Sequence, residues 1–160
     1  MKKRIDRFRR VLVDGMAAGG MDCPSDILDK FIKYYNILIE ENKKHNLTAI
    51  KDDAEVAEKH FIDSLLLWQA AGEAAGVQVV DIGSGAGFPG LPIKIYHPQL
   101  QVCLVEAIRK KVLFTEKVIK SLRLNGAHAI WTRVEDFAAD NREKFTAAVA
   151  RAVAELRVLV

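Results

Sequence analysis

Val77–Pro92 reads VQVVDIGSGAGFPGLP, and the fold turns on this stretch. A run of β-branched residues follows Gly76 and then breaks into Gly83, Gly85, Gly87 and Gly90. That order predicts a buried strand, a tight backbone turn and a helix start. Glycine tolerates positive φ and lets a ligand approach the main chain without meeting a Cβ, so the turn reads as a ligand cradle.

Downstream, Pro89 to His97 predicts a short helix with both prolines in its first turn, where missing N–H groups cost little, and Pro98 prevents continuation. Gln101 to Glu106 is a second strand, Ile108 to Asn125 a long helix ended by Gly126, and Ala127 to Thr132 a third strand. A connection containing Phe137 leads to a fourth strand, Thr146 to Val153. Strands alternating with helices imply βαβ units and a parallel sheet, with the ligand beyond the carboxyl ends of the strands.

Upstream, three helices are expected, each with one apolar face. They run from Ile5 to about Ala17, from Pro24 and Ser25 to about Asn42, and from about Asp53 to Ala71. Asn46 and Thr48 read as turn and cap chemistry between the last two. His60 lies on the third helix's apolar stripe, where a core histidine and a ligand-facing one are both open readings. The chain thus divides into a helical segment over residues 1–75 and an α/β ligand-binding domain over residues 76–160. Sheets of this type normally carry one or two strands beyond the fourth, so a chain stopping at Val160 is expected to be truncated, or to cover that edge by association.

The 160 residues and 17.8 kDa suit one core with a small helical appendage. No apolar run approaches the roughly 20 residues a membrane span needs, and the basic start is interrupted by Asp14, so a cytoplasmic protein without a membrane partner is expected. Cys23 and Cys103 have neither disulfide nor metal spacing, and no metal is expected. A net charge of +3 with pI near 8.9, and a first helix carrying Lys2, Lys3, Arg4, Arg7, Arg9 and Arg10, favour an anionic partner weakly.

Two ligand classes compete for the turn. Gly85-x-Gly87-x-x-Gly90 matches the dinucleotide fingerprint, with Glu106 near the ~20-residue distance of a ribose-binding acid. Asp81 discriminates, because a carboxylate just before the turn repels a pyrophosphate. A sulfonium nucleoside, S-adenosylmethionine, has no phosphate and suits that field. In this reading Gly83, Gly85 and Gly87 lie along its amino-acid and ribose portion, Asp81 supplies a negative field or orders nearby donors, and Glu106 accepts the ribose hydroxyls. The main chain at Val134 and Glu135, after strand three, reads the adenine edge.

The segment DIGSGAGFPGLPI, with Asn46-Leu47-Thr48, His60-x-x-Asp63-Ser64 and Arg151-Ala152 in the same order, resembles the 16S ribosomal RNA guanine-N7 methyltransferases, also called the glucose-inhibited division protein B family. The resemblance implies a Rossmann-like class I methyltransferase fold, of which about four strands are present here. It implies cofactor contacts at Gly83, Phe88, Val134, Glu135 and Arg151, and 16S ribosomal RNA or the 30S subunit as partner.

The residues accord with ring-nitrogen chemistry. The end of strand four holds ARAV, where an exocyclic-amine methyltransferase would need a polar acceptor motif, and Cys103 lies inside a strand, away from any place for a nucleophile. Guanine N7 presents its lone pair without losing a proton, so holding it in line with the methyl suffices and no general base is assigned. Arg151 is the residue placed to contact cofactor or nucleotide, with an ion pair to Glu155 as the alternative. Arg109, Lys110 and Lys111 open the helix after Glu106, where cations oppose the helix dipole, and are expected to bind RNA; Lys43, Lys44, Arg123 and Arg133 are weaker candidates. A cofactor-fold module that only docks on RNA or a partner, and a small-molecule methyltransferase, remain the alternatives.

Overall fold

The computed structural model describes residues 2–72, 78–141 and 144–151. The expected boundary at residues 75 and 76, Glu155, and the end of the expected fourth strand lie outside these. Helix α1 spans Lys2–Ala18 and buries Phe8, Leu12 and Met16, one per turn, so its face is a single apolar stripe. Part of its basic side is neutralised: Arg4 donates to Asp53 Oδ1 at 2.9 and 2.6 Å, and Arg7 pairs with Asp52 at 2.9 Å.

Helix α2, Ser25–His45, runs three residues past the expected Asn42. Its last turn holds Lys43, Lys44 and His45, which suit the negative end of the helix, and Asn46 takes the left-handed cap at φ 47°. The third helix is expected as one rod and is one in path, but changes pitch: α3 is Asp53–Val56, a π-helical stretch covers Ala57–Ile62, and α4 is Asp63–Ala70. The Asp63 amide reaches Glu58 O, five residues back. Such a bulge inserts one residue and re-aims the side chains around it, here His60 and Phe61.

The sheet is parallel, in the order β3-β2-β1-β4, with β1 Gln78–Ile82, β2 Gln101–Glu106, β3 Ala127–Trp131 and β4 Ala147–Ala150. β1 is central and covered on both faces, which explains its continuous rather than alternating apolar character. Helices α5, Gly90–Tyr96, and α6, Arg109–Leu122, follow β1 and β2. Val79, Val102 and Leu104 join a core shared with α1, α2, α4, α5 and α6. Val80, Cys103 and Val105 lie on the opposite face against Phe137.

Two local expectations are corrected. The connection containing Phe137 is a helix, α7, Val134–Asp140. Helix α6 stops at Leu122 because Arg123 adopts the left-handed cap at φ 52°, whereas Gly126 at φ 83° belongs to the following turn into β3. A side chain at Gly126 would be strained by that positive φ, while the Gln101 side-chain tip 2.7 Å from a built Cβ is free to move aside.

The helical segment is fastened to the sheet through aromatic rings. Phe61 is fully buried and meets Phe8, Phe31, Tyr34 and Phe88 edge-on, at centroid distances of 5.1, 5.5, 5.2 and 5.3 Å. Truncating a ring with that many partners leaves a cavity as well as lost transfer energy. Phe61→Ala is expected to lower the unfolding free energy by about 3–5 kcal/mol in urea titration.

Candidate functional site

The β3-β2-β1-β4 order reverses direction of winding between β1 and β4, and a crevice opens at such a switch point beyond the strand ends. Here the cleft has a volume of about 240 Å³. Gly83 and Gly85 of the turn, Phe88, Glu106 from the end of β2, Lys111 from α6 and Arg151 from the end of β4 meet there with Thr48 and His60 of the helical segment.

The turn is suspended from its neighbours. The amides of Gly83 and Ser84 donate to Val105 O at 2.9 and 3.1 Å, tying it to β2. The Gly85 amide donates to Glu106 Oε2 at 2.8 Å, and Ala86 O accepts from the buried Tyr34 hydroxyl at 2.5 Å. The Gly90 amide donates to Asp81 Oδ2 at 2.7 Å. The peptide between Phe88 and Pro89 is cis.

The glycines divide into two functions. At Gly83, φ is 67° and a Cβ would meet nothing within 4 Å, so the main chain faces open space. At Gly87, φ is 91° and a Cβ would lie 2.5 Å from Leu91 Cδ1 and 2.7 Å from the Tyr34 hydroxyl. The first half of the motif borders the cleft; the second half lets α5 and Tyr34 close against the turn.

Asp81 is placed differently from the expectation. β1 continues one residue beyond it, its side chain is fully buried, and it does not line the cleft. It lies behind the turn, ordering donors by holding the start of α5. Burial pushes its carboxyl up to about 7, despite the Gly90 amide and the Arg151 charge pulling the other way. Asp81 Oδ1 and Ser84 Oγ are buried polar atoms without a partner among the described residues.

Glu106 does reach the cleft. Its two oxygens accept from Gly85 N at 2.8 Å and Ile108 N at 2.9 Å, so the carboxylate sits at the positive end of α6 and offsets the three cations of that helix's first turn. Each oxygen keeps a further lone pair for a donor.

His60 unites the two open readings. It is 6% exposed, yet it lines the cleft. Its ring stacks on Phe88 at 4.5 Å and 11°, while Phe88 also stacks on Tyr34 at 5.1 Å and 6°. Arg151 donates to His60 Nδ1 and to Lys59 O, and its guanidinium lies 5.3 Å from the Phe88 centroid. A guanidinium only donates, so Nδ1 is the acceptor and the proton is on Nε2, which faces Thr48 Oγ1 at 2.8 Å. Burial first, then Arg151, lowers the His60 pKa to about 3. Thr48 is itself fixed by reciprocal bonds with Asn42, at 2.9 and 3.0 Å. The Asn46-Leu47-Thr48 and His60 motifs, twelve residues apart at Thr48 and His60, meet here.

Arg109, Lys110, Val134, Glu135 and Gly87 do not line the cleft. Val134 and Glu135 open α7 after β3, and Arg109 lies over Trp131, 5.2 Å from the ring centroid. Periodicity places Tyr34 on the apolar face of the second helix, and its hydroxyl bond to Ala86 O has no signal there. Lys94 has no sequence signal either: it is 2% exposed, and its Nζ donates to Pro98 O and Leu100 O at 2.6 Å each, tying the connection between α5 and β2 to the helix. Among the described residues no cluster of side chains could hold a metal ion, and no helix is long and apolar enough to cross a membrane.

Asp81 and His60 have opposite pH signatures. Asp81 is raised from 3.8, so its contribution to stability is full below that value and is lost as pH rises toward about 7. His60 is lowered from 6.5, so its contribution is full above that value and is lost as pH falls toward about 3. The two slopes oppose each other over a shared window. Asp81→Asn is expected to make stability rise more steeply with pH between about 4 and 7 than in the parent, as read by urea titrations across that range.

The family model described as GidB, rRNA small subunit methyltransferase G, matches residues 27–160. Ribosomal RNA small subunit methyltransferase G of Pelotomaculum thermopropionicum is 46% identical over 155 residues, covering 93% of this chain and 65% of the relative. That of Desulforamulus reducens is 50% identical over 131 residues, covering 81% and 55%. The chain therefore spans between about half and two thirds of the length of these relatives. Among solved structures, MtNAS in complex with MTA and tNA superposes with a TM-score of 0.51 at 21% identity, over 77% of this chain and 48% of that one. Protein-L-isoaspartate O-methyltransferase gives 0.50 at 12% identity, over 79% and 42%. At those identities the likeness speaks for the fold, a Rossmann-like α/β sheet.

Proposed function

From the premise that this chain belongs to the rRNA small subunit methyltransferase G family, we propose that it takes part in S-adenosylmethionine-dependent methylation of guanine N7 in 16S ribosomal RNA. The observation that carries this reading is the meeting of the glycine turn, Glu106 and Arg151 in one cleft at the sheet's switch point.

The residues fit a nucleoside cofactor. The open main chain at Gly83, the unpartnered Ser84 hydroxyl and the spare lone pairs of Glu106 offer a neutral cradle with one carboxylate. Glu106 would hold the ribose hydroxyls, the turn from Gly83 to Gly85 the ribose and amino-acid portion, and the backbone at Val134 and Glu135 the adenine edge. Phe88 supports Arg151 and His60. Asp81 and Gly87 act one layer back, by fixing the turn. When bound, the cofactor supplies an electrophilic methyl group.

For the RNA, Lys111 and Arg151 are the cations at the cleft itself, with Arg109 and Lys110 on the adjacent surface. Arg151 carries its charge into a site walled by apolar rings, where a phosphate or a guanine acceptor atom is held more strongly than in water. His60, neutral at physiological pH, accepts from Arg151 and so fixes its direction. The residues supply placement; no proton need be removed from N7 before transfer, and the positive charge gained by the base replaces that lost from the sulfonium.

Transfer of labelled methyl to 30S particles or 16S RNA, followed by nucleoside analysis, tests cofactor, substrate and atom together. Recovery of 7-methylguanosine is expected; cofactor binding without transfer to either substrate selects the RNA-docking module instead. Glu106→Gln is expected to weaken S-adenosylmethionine binding by roughly tenfold or more in calorimetry, since charged hydrogen bonds to both ribose hydroxyls are lost.

A further inference from the structure

Trp131 closes β3, the edge strand of the sheet, and is 57% exposed, the most exposed of the large hydrophobic side chains described. It contributes little to either core. Its ring is nevertheless fixed: Nε1 donates to Ala107 O at 2.9 Å, and the next amide, Thr132 N, donates to Glu106 O at 3.1 Å. The Arg109 guanidinium lies 5.2 Å from the ring centroid. Trp131 is in register with Glu106, so this surface adjoins the carboxylate wall of the cleft.

The side chains of the neighbouring first turn of α6 carry charge of one sign, facing solvent beside the buried Glu106 carboxylate. Arg109, Lys110 and Lys111 form the first turn of α6, which contains no acid, and none of the three is in an ion pair among the described residues. Ile108, which precedes the helix, and Leu113 within it, 44% and 55% exposed, add apolar surface. A fixed, exposed indole beside a guanidinium and two unpaired ammonium groups has the chemistry that recognises an unpaired base and its phosphates: every base has a face to stack, and the cations follow the backbone.

We propose that Trp131 and Arg109 form a stacking platform for an unpaired nucleobase of the RNA beside the methylation cleft, with Lys110 and Lys111 holding the adjoining phosphates. This rests on RNA being the substrate and adds to it a requirement for single-stranded structure next to the target. A duplex buries its base faces and cannot use the ring; a loop or bulge can. The platform is separate from the residues assigned to the cofactor, so the two can be tested apart.

The test uses the 160-residue chain, a short unpaired oligoribonucleotide, and a duplex of the same composition, read by fluorescence anisotropy, with S-adenosylmethionine measured by calorimetry. Tighter binding of the unpaired strand than of the duplex is expected. Trp131→Ala should weaken unpaired RNA roughly tenfold, the loss of one base stack, while leaving its salt dependence and the cofactor affinity unchanged. Trp131→Phe should restore most of the affinity. Lys110→Ala should instead flatten the salt dependence by about 0.7 in log–log slope, the share of one phosphate contact on a single strand. Because the chain's other tryptophan, Trp68, is buried, emission quenching by unpaired RNA should disappear with Trp131.

Unchanged RNA affinity in Trp131→Ala, or equal binding of duplex and single strand, would overturn the platform. So would loss of S-adenosylmethionine affinity in Trp131→Ala, which would assign the ring to the cofactor's adenine. A chain that binds no S-adenosylmethionine yet keeps Trp131-dependent binding of unpaired RNA would refute the methyltransferase reading and leave the platform standing.

Discussion

The hydrogen bond from the Gly90 amide to Asp81 Oδ2, 2.7 Å long and out of water, is the constraint on which the site depends. It joins β1 to the first residue of α5 across nine positions of sequence, and the chain between must therefore bulge into a loop. A buried carboxylate left without donors is costly, so that loop cannot relax freely away from it. Four further bonds fix the loop's shape: Val105 O accepts two of its amides, Glu106 accepts a third, and Tyr34 donates to Ala86 O. The turn is thus a suspended span, and its free side is the cleft.

This arrangement makes the helical segment part of the site. Tyr34, Phe61 and His60 come from α2 and the π-helical stretch, and all three touch Phe88. The extra residue of that stretch places His60 against Thr48 on one side and Arg151 on the other. A chain carrying only the sheet and its crossover helices would have the glycine turn but would lack the wall that orients Arg151. The common core shared by helices and sheet gives the same message in energetic terms.

Charge is distributed with the same economy. Two carboxylates stand near the turn, one in front and one behind, and their surroundings separate their behaviour. Glu106 accepts from two amides at the positive end of α6 and faces the cleft as an acceptor. Asp81 has one amide donor and is fully buried, and burial raises its pKa to about 7. Arg151, over the Phe88 ring and bonded to a neutral histidine, presents a directed charge at the cleft.

The sequence by itself determined the parallel α/β sheet, the order of its elements, and the turn at Gly83 to Gly90, because strand runs, glycine breaks and helical periodicity are local properties of the chain. It also identified Glu106 and Arg151, since both stand at strand ends, where a parallel sheet places its ligands. What only the tertiary structure decided was which groups face the cleft and which stand behind it. Asp81 and Glu106 look equivalent as acids at strand ends; one more residue of β1 and the approach of α5 bury the first. Gly83 and Gly87 look equivalent in the motif; the difference is the nearness of Leu91 and Tyr34, which belong to other elements. His60 read as either core or ligand-facing because periodicity reports burial alone, and a ring stacked under Phe88 at the cleft floor is both. Contacts between residues distant in the chain carry no periodic signal, so the meeting of Thr48, His60, Phe88 and Arg151 is a product of packing.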